Sequence, residues 1–169
     1  MQEIYKDNLI FKDKINNYKE VNKTLLEQIA LIPTTSRTLP HAYIQHTDYE
    51  IPKEMERKYF FTFYECVKES LAKLSTYYGA SKIEIDNFWF HQYTQGGNFG
   101  MHTHKGTHFG LIYYVECPEN TGTIFNHGQI NCEEGDLLLF PAFMPHASPV
   151  IEDNKRKTVI AANLGIHAT

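Results

Sequence analysis

The sequence has little of what marks secreted, membrane-spanning or nucleic-acid-binding chains. Its three cysteines are widely spaced and form no C-x-x-C pair, which favours reduced thiols in a cytoplasmic protein over disulfides or thiolate-bound zinc. No apolar run approaches the roughly 18 residues that a membrane helix needs, and the first residues do not resemble a signal peptide. The net charge is −4, which argues against a nucleic-acid partner. We therefore expect no nucleic-acid partner and no membrane partner.

The length of 169 residues suits a single domain, and the chain falls into two differently patterned regions. Residues 1–80 are interpreted as a mixed, helical supporting region. Apolar residues at helical spacing predict one helix over residues 22–30 and a longer one over residues 53–78, which Gly79 terminates. The proline- and threonine-rich stretch between them, residues 32–49, is predicted to be a loop.

From residue 81 onward, short β-rich runs alternate with turn signals. Evenly spaced short strands are typical of a sandwich or jelly roll, so residues 81–166 are predicted to form a jelly-roll core. The expected fold class is mainly β with supporting helices in the N-terminal half. The predicted strands cover residues 82–85, 88–93, 109–115, 123–125, 136–140 and 158–162.

Three of the nine histidines form a pattern that indicates a metal site. His102 and His104 are two residues apart, so in a strand their imidazoles point to one face. His146 follows the apolar strand that ends at Pro141, and a strand end holds a ligand on a fixed backbone. Neutral imidazoles suit iron, zinc, copper or nickel. Histidines without such a pattern are expected to be ordinary surface or core residues: His46, His91, His127 and His167.

The segments around these histidines resemble those of the 2-oxoglutarate/iron(II)-dependent oxygenases, in particular the small prolyl-4-hydroxylase-like branch of bacteria and phages. The resemblance implies a double-stranded β-helix core, iron(II), 2-oxoglutarate as cosubstrate, and dioxygen. It also implies hydroxylation of a C–H bond of a small-molecule or peptide substrate, for instance of a prolyl or other amino-acid side chain, with release of succinate and carbon dioxide. The similar segments occur in the family's order at residues 93–104, 111–115, 122–125, 134–141 and 156–163.

Position by position, the resemblance assigns His102 and His146 to the two histidine ligands of the family. His104 falls where most of the family has Asp or Glu. A third imidazole is neutral, so the site would carry one more positive charge than the usual two-histidine, one-carboxylate set. Three interpretations follow: His104 is a true third ligand, the site prefers another metal, or His104 is a bystander and a water or substrate group completes the shell.

The resemblance also implies a basic residue that binds the distal carboxylate of 2-oxoglutarate. A guanidinium can grip a carboxylate with two parallel hydrogen bonds. Arg156 is favoured because it shares a strand face with Thr158, like the family's Arg-x-Ser/Thr pairing, whereas alignment on Asn163 favours Lys157. The remaining cosubstrate pocket is expected to include Tyr93, Tyr113 and Thr123. The substrate pocket is expected to include Trp89, Gln95, Asn98, Phe99 and His108.

A second resemblance competes with the first. The spacing from Gly96 to His102 and His104, and from Gly135 through Pro141 to His146, is similar to the two cupin motifs. Cupins share the double-stranded β-helix, so this alternative changes the chemistry and leaves the fold unchanged. It implies a cupin-type dioxygenase or isomerase, in which His108 would add a fourth ligand. A non-catalytic metal-binding module is the third hypothesis.

Overall fold

The structure, a computed structural model, describes residues 1–5 and 10–167, and for residues 2–5 it describes the backbone alone. The helices are α1 (Tyr18–Ile29) and α2 (Tyr59–Tyr78). The strands are β1 (Gln2–Tyr5), β2 (Ile10–Lys14), β3 (Thr35–Leu39), β4 (Ala42–Thr47), β5 (Lys82–Tyr93), β6 (Asn98–His102), β7 (Phe109–Glu116), β8 (Thr123–Phe125), β9 (Gly128–Ile130), β10 (Asp136–Pro141), β11 (His146–Ser148) and β12 (Lys157–His167).

The strands form one curled antiparallel sheet in the order β1-β2-β10-β7-β12-β5-β4-β6-β11-β8-β9, with β3 paired to β4. Strands β10, β7, β12 and β5 make one layer, and β6, β11, β8 and β9 make the other. Strand β4 pairs with both β5 and β6 and so joins the two layers along one edge. This is a double-stranded β-helix, and it confirms the predicted mainly β fold with supporting helices.

Two hydrophobic cores lie on opposite faces of the first layer. Strand β10 shows this most clearly, because successive side chains of a strand point to opposite faces. Leu137 and Leu139 pack toward the helices, whereas Leu138 and Phe140 pack between the two layers. The six residues of β10 are all buried, which explains why its sequence is a continuous apolar run and does not alternate.

The helices cover the outer face of the first layer. Helix α2 buries one stripe of side chains at helical spacing, which includes Phe63, Val67 and Leu74. It ends as predicted, with Gly79 in the left-handed conformation at φ 61°. Its predicted start was wrong: the helix begins at Tyr59, and turns occupy most of residues 53–58. Among the described residues, no helix is long and apolar enough to cross a bilayer.

The loop predicted over residues 32–49 is wrong. The structure has the hairpin of β3 and β4 there, with Ala42 and Ile44 buried at alternate positions of β4. Thr and Pro are common in loops, but the strand state of β4 is decided by its pairing with β5 and β6. Strands β1 and β2 were not predicted either, and β2 likewise depends on a distant partner, β10.

Candidate metal centre

The fold brings His102, His104 and His146 together. His102 is the last residue of β6 and His146 the first of β11, and the two are direct partners in the antiparallel ladder. His104 lies two residues beyond β6, where its backbone N–H donates to the carbonyl of Ala142 at 3.0 Å. One ligand atom from each of the three side chains lies within 4.8 Å of the others. The prediction placed both His102 and His104 on one strand face. Only His102 lies in the strand, and the loop that follows β6 places His104.

Hydrogen bonds on the outer side of each ring define which nitrogen carries the proton. A carbonyl oxygen can only accept, so each Nδ1 must donate, and the Nε2 atoms are left with free lone pairs. The contacts are His102 Nδ1 to Gly100 O at 2.9 Å, His146 Nδ1 to Met144 O at 3.0 Å, and His104 Nδ1 to Asn163 Oδ1 at 2.5 Å.

The lone pairs converge on a common point. Nε2 of His104 and Nε2 of His146 are 3.3 Å apart, and two acceptors at that distance repel each other unless a cation lies between them. Three imidazole nitrogens suit a borderline divalent metal such as iron(II), nickel(II) or zinc(II). The residues present therefore fit the metal that the resemblance implies.

Burial keeps the three rings in the neutral form that binds metals. His146 is 4% exposed, and burial lowers its pKa to about 3. Burial is also the largest cause of the lowered pKa values of His102 and His104, which are partly buried. Transfer of a charged imidazolium out of water is unfavourable, so burial favours the neutral, metal-binding form of all three rings.

A cavity extends from the three histidines into the space between the two layers. Its volume is about 50 Å³, and its walls are mostly apolar. Among the residues predicted for the cosubstrate and substrate pockets, the cavity is lined by Tyr93, Thr123, Trp89 and Phe99. Apolar walls with a few polar groups are typical of small-molecule sites.

Lys157 also lines this cavity. Its side chain is 2% exposed, and its ammonium donates to the carbonyl of Thr121 and to Oγ of Ser148, the latter at 2.9 Å. The ammonium also lies 5.7 Å from the ring centre of Tyr93. Burial lowers the pKa of Lys157 to about 8. No carboxylate pairs with this ammonium in the described part of the chain.

Arg156, the residue favoured by the sequence, lies outside the cavity. It is exposed and forms a two-pronged pair with Glu116, at 2.7 and 2.9 Å. The side chains of neighbouring residues along a strand point to opposite sides. Lys157, the first residue of β12, points inward on the same face as Asn163, and Arg156 before it points outward. Thr158 lies on the outward face and donates its hydroxyl to the same Glu116.

Four further predicted residues also lie outside the cavity lining. Tyr113 faces the helices, and its hydroxyl donates to Asn22 at 2.6 Å. The exposed side chain of Gln95 donates to the carbonyl of Glu152 at 3.3 Å. The other two are Asn98, whose amide donates to Gly96 O at 3.2 Å, and His108, whose Nδ1 accepts from Ile166 N at 3.2 Å.

Sequence reasoning missed three residues around the centre. Ser148 contacts Lys157, and no sequence signal indicates it. Asn163 was used as an alignment anchor, but its spacing from Lys157 already places both on one strand face. His91 was expected to be an ordinary core residue, and it is buried, at 4% exposed. However, its ring also lines the cavity and accepts a hydrogen bond from Trp89 at 2.9 Å.

Comparison with known proteins shows the fold. No protein-family model matches the chain, and no curated protein matches its sequence. Among solved structures, a 2OG-Fe(II) oxygenase family oxidoreductase from Burkholderia pseudomallei matches with a TM-score of 0.67 at 10% identity, over 85% of this chain and 77% of that one. A 2OG complex of viral collagen prolyl hydroxylase from Paramecium Bursaria Chlorella virus-1 matches with a TM-score of 0.62 at 15% identity, over 92% and 94%.

A third similar structure is HygX from Streptomyces hygroscopicus with nickel and 2-oxoglutarate bound. Its TM-score is 0.71 at 10% identity, over 94% of this chain and 83% of that one. These likenesses span most of each chain, but the identities are low. What they show is that the chain has the double-stranded β-helix fold of the 2-oxoglutarate/iron(II) oxygenases. The chemistry has to be argued from the site itself.

Proposed function

We propose that this protein is a 2-oxoglutarate- and iron(II)-dependent oxygenase that hydroxylates a C–H bond. The observation that carries the proposal is one mostly apolar cavity lined both by a histidine cluster and by a buried cation. Three imidazoles turn their free Nε2 atoms toward one another, and the buried ammonium of Lys157 lines the same cavity. A metal-chelating dicarboxylate such as 2-oxoglutarate would bind the metal with one end and the ammonium with the other.

His102, His104 and His146 would hold iron(II), and Lys157 would bind the distal carboxylate of 2-oxoglutarate. We favour Lys157 over Arg156 because a carboxylate would satisfy an unpaired buried charge, whereas Arg156 is already paired with Glu116. The Ser148 hydroxyl, which accepts a hydrogen bond from Lys157, could donate its own proton to the same carboxylate. The apolar walls would exclude water and strengthen these charged contacts.

Iron(II), when bound, supplies the oxidation by dioxygen that converts 2-oxoglutarate to succinate and carbon dioxide and a substrate C–H to C–OH. The protein supplies geometry, charge and a dry cavity. The viral collagen prolyl hydroxylase among the similar structures makes an amino-acid side chain, free or in a peptide, the first substrate class to test. The cupin-type alternative has no support from His108, which is outside the histidine cluster of the described residues.

The proposal is tested in two stages with the purified protein. Calorimetric titration should show that 2-oxoglutarate binds the nickel(II)-loaded protein and that His146→Ala and Lys157→Met weaken this binding, with Arg156→Met as the matched control. Iron(II), oxygen and a panel of free amino acids and short peptides should then yield succinate, detected by NMR. A protein that binds metal but neither binds nor consumes 2-oxoglutarate would contradict the proposal. The hypothesis of a non-catalytic metal-binding module would then remain.

A further inference from the structure

His104 is held differently from the other two histidines. Nδ1 of His102 and Nδ1 of His146 each contact the backbone carbonyl two residues earlier in the chain. Nδ1 of His104 instead contacts a side chain, Oδ1 of Asn163, at 2.5 Å. One face of the His104 ring is covered by the indole of Trp89, with ring centres 5.9 Å apart and planes inclined by 19°. Side chains therefore decide both the tautomer and the plane of this ring.

Trp89 is itself fixed by a buried chain of hydrogen bonds. Its indole Nε1 donates to Nε2 of His91 at 2.9 Å, and Nδ1 of His91 lies 2.9 Å from Oγ1 of Thr47. Oγ1 of Thr47 lies 2.8 Å from the carbonyl of Phe90. Thr47, His91 and Trp89 are 0%, 4% and 7% exposed, so water does not compete with these bonds.

The donor and acceptor of each hydrogen bond in this series can be assigned in only one way. The Phe90 carbonyl must accept, so the Thr47 hydroxyl donates to it. Oγ1 of Thr47 then accepts from Nδ1 of His91, which leaves Nε2 of His91 bare. An indole N–H is only a donor, and it meets that bare nitrogen. Every donor therefore has an acceptor, and the indole is anchored to β4 through side chains of β5.

We propose that Asn163, Trp89 and His91 are positioning residues that fix His104 as a neutral, Nε2-donating third metal ligand in place of a carboxylate. Asn163 would select the tautomer by accepting from Nδ1, and Trp89, held by His91, would set the ring plane. The inference rests on the proposed function only for the presence of a metal. Outer partners of this kind are worth about 10- to 100-fold in metal affinity.

The orientation of the Asn163 amide is decisive for this assignment. If its Nδ2 faced His104, Nδ1 of His104 would have to accept, and Nε2 would carry the proton and donate toward His146. That arrangement would turn a proton, and no lone pair, toward the position of the metal. Long-range proton–nitrogen NMR of the metal-free wild-type protein distinguishes the two tautomers without any variant. The Nδ1–H form of His104 is expected, and the Nε2–H form would overturn the inference.

Cobalt(II) binding, followed by calorimetry and visible absorption, tests the three residues through the metal. Asn163→Leu removes the acceptor and should weaken binding about 10- to 100-fold, with a changed spectrum. Asn163→Asp keeps an acceptor oxygen and should restore wild-type affinity or exceed it. Asn87→Leu is the matched control, because Asn87 is the cross-strand partner of Asn163 and its side chain contacts Lys53. It should leave both readouts unchanged.

Trp89→Phe and His91→Phe test the second arm. Phenylalanine at 89 keeps a stacking ring but lacks the indole N–H, so both variants should bind cobalt(II) more weakly than the control and with altered absorption bands. Circular dichroism of the metal-free variants separates local effects from unfolding. If His104→Ala binds cobalt(II) like the wild type, or if the variants at 89, 91 and 163 all do, the inference is wrong. If the cobalt(II) affinities and spectra change as expected but the iron-loaded wild type forms no succinate, the proposed function is wrong and the inference about His104 stands.

Discussion

Lys157 offers a prediction in which loss of function and gain of stability go together. Its buried ammonium has no carboxylate partner among the described residues, and its pKa falls from an ordinary value near 10.5 to about 8. Each pKa unit corresponds to about 1.4 kcal/mol, so the buried charge costs about 3 kcal/mol at pH 7. Lys157→Met removes that cost but leaves the Thr121 carbonyl without its donor, a loss of about 1–3 kcal/mol. We expect a net gain of up to about 2 kcal/mol in the free energy of unfolding.

The pH dependence of stability has a definite sign. Between about pH 8 and pH 10.5, the unfolded chain keeps the lysine proton and the folded protein releases it. Stability therefore rises with pH wherever the unfolded state binds more protons. Between these two pH values, deprotonation of Lys157 should raise the free energy of unfolding of the wild type. The Lys157→Met protein should not show this rise. Below pH 8 the burial cost is fully present, so the difference between the two proteins is largest there.

Urea unfolding of the metal-free proteins at several pH values measures both effects, and calorimetry with 2-oxoglutarate on the nickel(II)-loaded proteins measures the functional loss. Arg156→Met is the control, since an exposed ion pair contributes about 0–1 kcal/mol and Arg156 lies outside the cavity. A Lys157→Met protein that is less stable than the wild type at pH 7, or that binds 2-oxoglutarate equally well, would refute the reasoning.

Three further predictions concern other parts of the molecule. Asp48→Asn should cost about 3–5 kcal/mol in urea unfolding, because this fully buried carboxylate accepts from Arg57, Tyr59 and the backbone of Phe90; a loss below 1 kcal/mol would contradict this. Gly122→Ala should prevent folding as judged by circular dichroism, because a β carbon there would overlap the Ile130 carbonyl; a native spectrum and melting curve would show the backbone can yield. His108→Ala should keep the full metal content by elemental analysis, and a halved content would revive the cupin-type alternative.

The fold was predictable where local pattern and burial agree. The runs that became β7, β10 and β12 are apolar because both faces are buried, and α2 repeats its apolar residues at helical spacing. The hairpin of β3 and β4 was not predictable, because its local composition resembles a loop and its strands are stabilised by partners far away in sequence. The start of α2 was missed by six residues for a related reason: apolar spacing continued through the turns before Tyr59, a segment in which the side chain of Arg57 is bound to Asp48.

The prediction made from the histidine pattern, by contrast, agrees with the structure. His-x-His followed by a histidine after an apolar strand predicted a cluster, and the ladder pairing of His102 with His146 explains how residues far apart in sequence meet. Sequence spacing alone did determine the three metal-ligand candidates. It could not choose between Arg156 and Lys157, because adjacent strand residues face opposite sides and only the register of β12 says which side is the cavity. It also could not place Asn163, Trp89 and His91 around His104, since those contacts join separate strands and exist only once the barrel has closed.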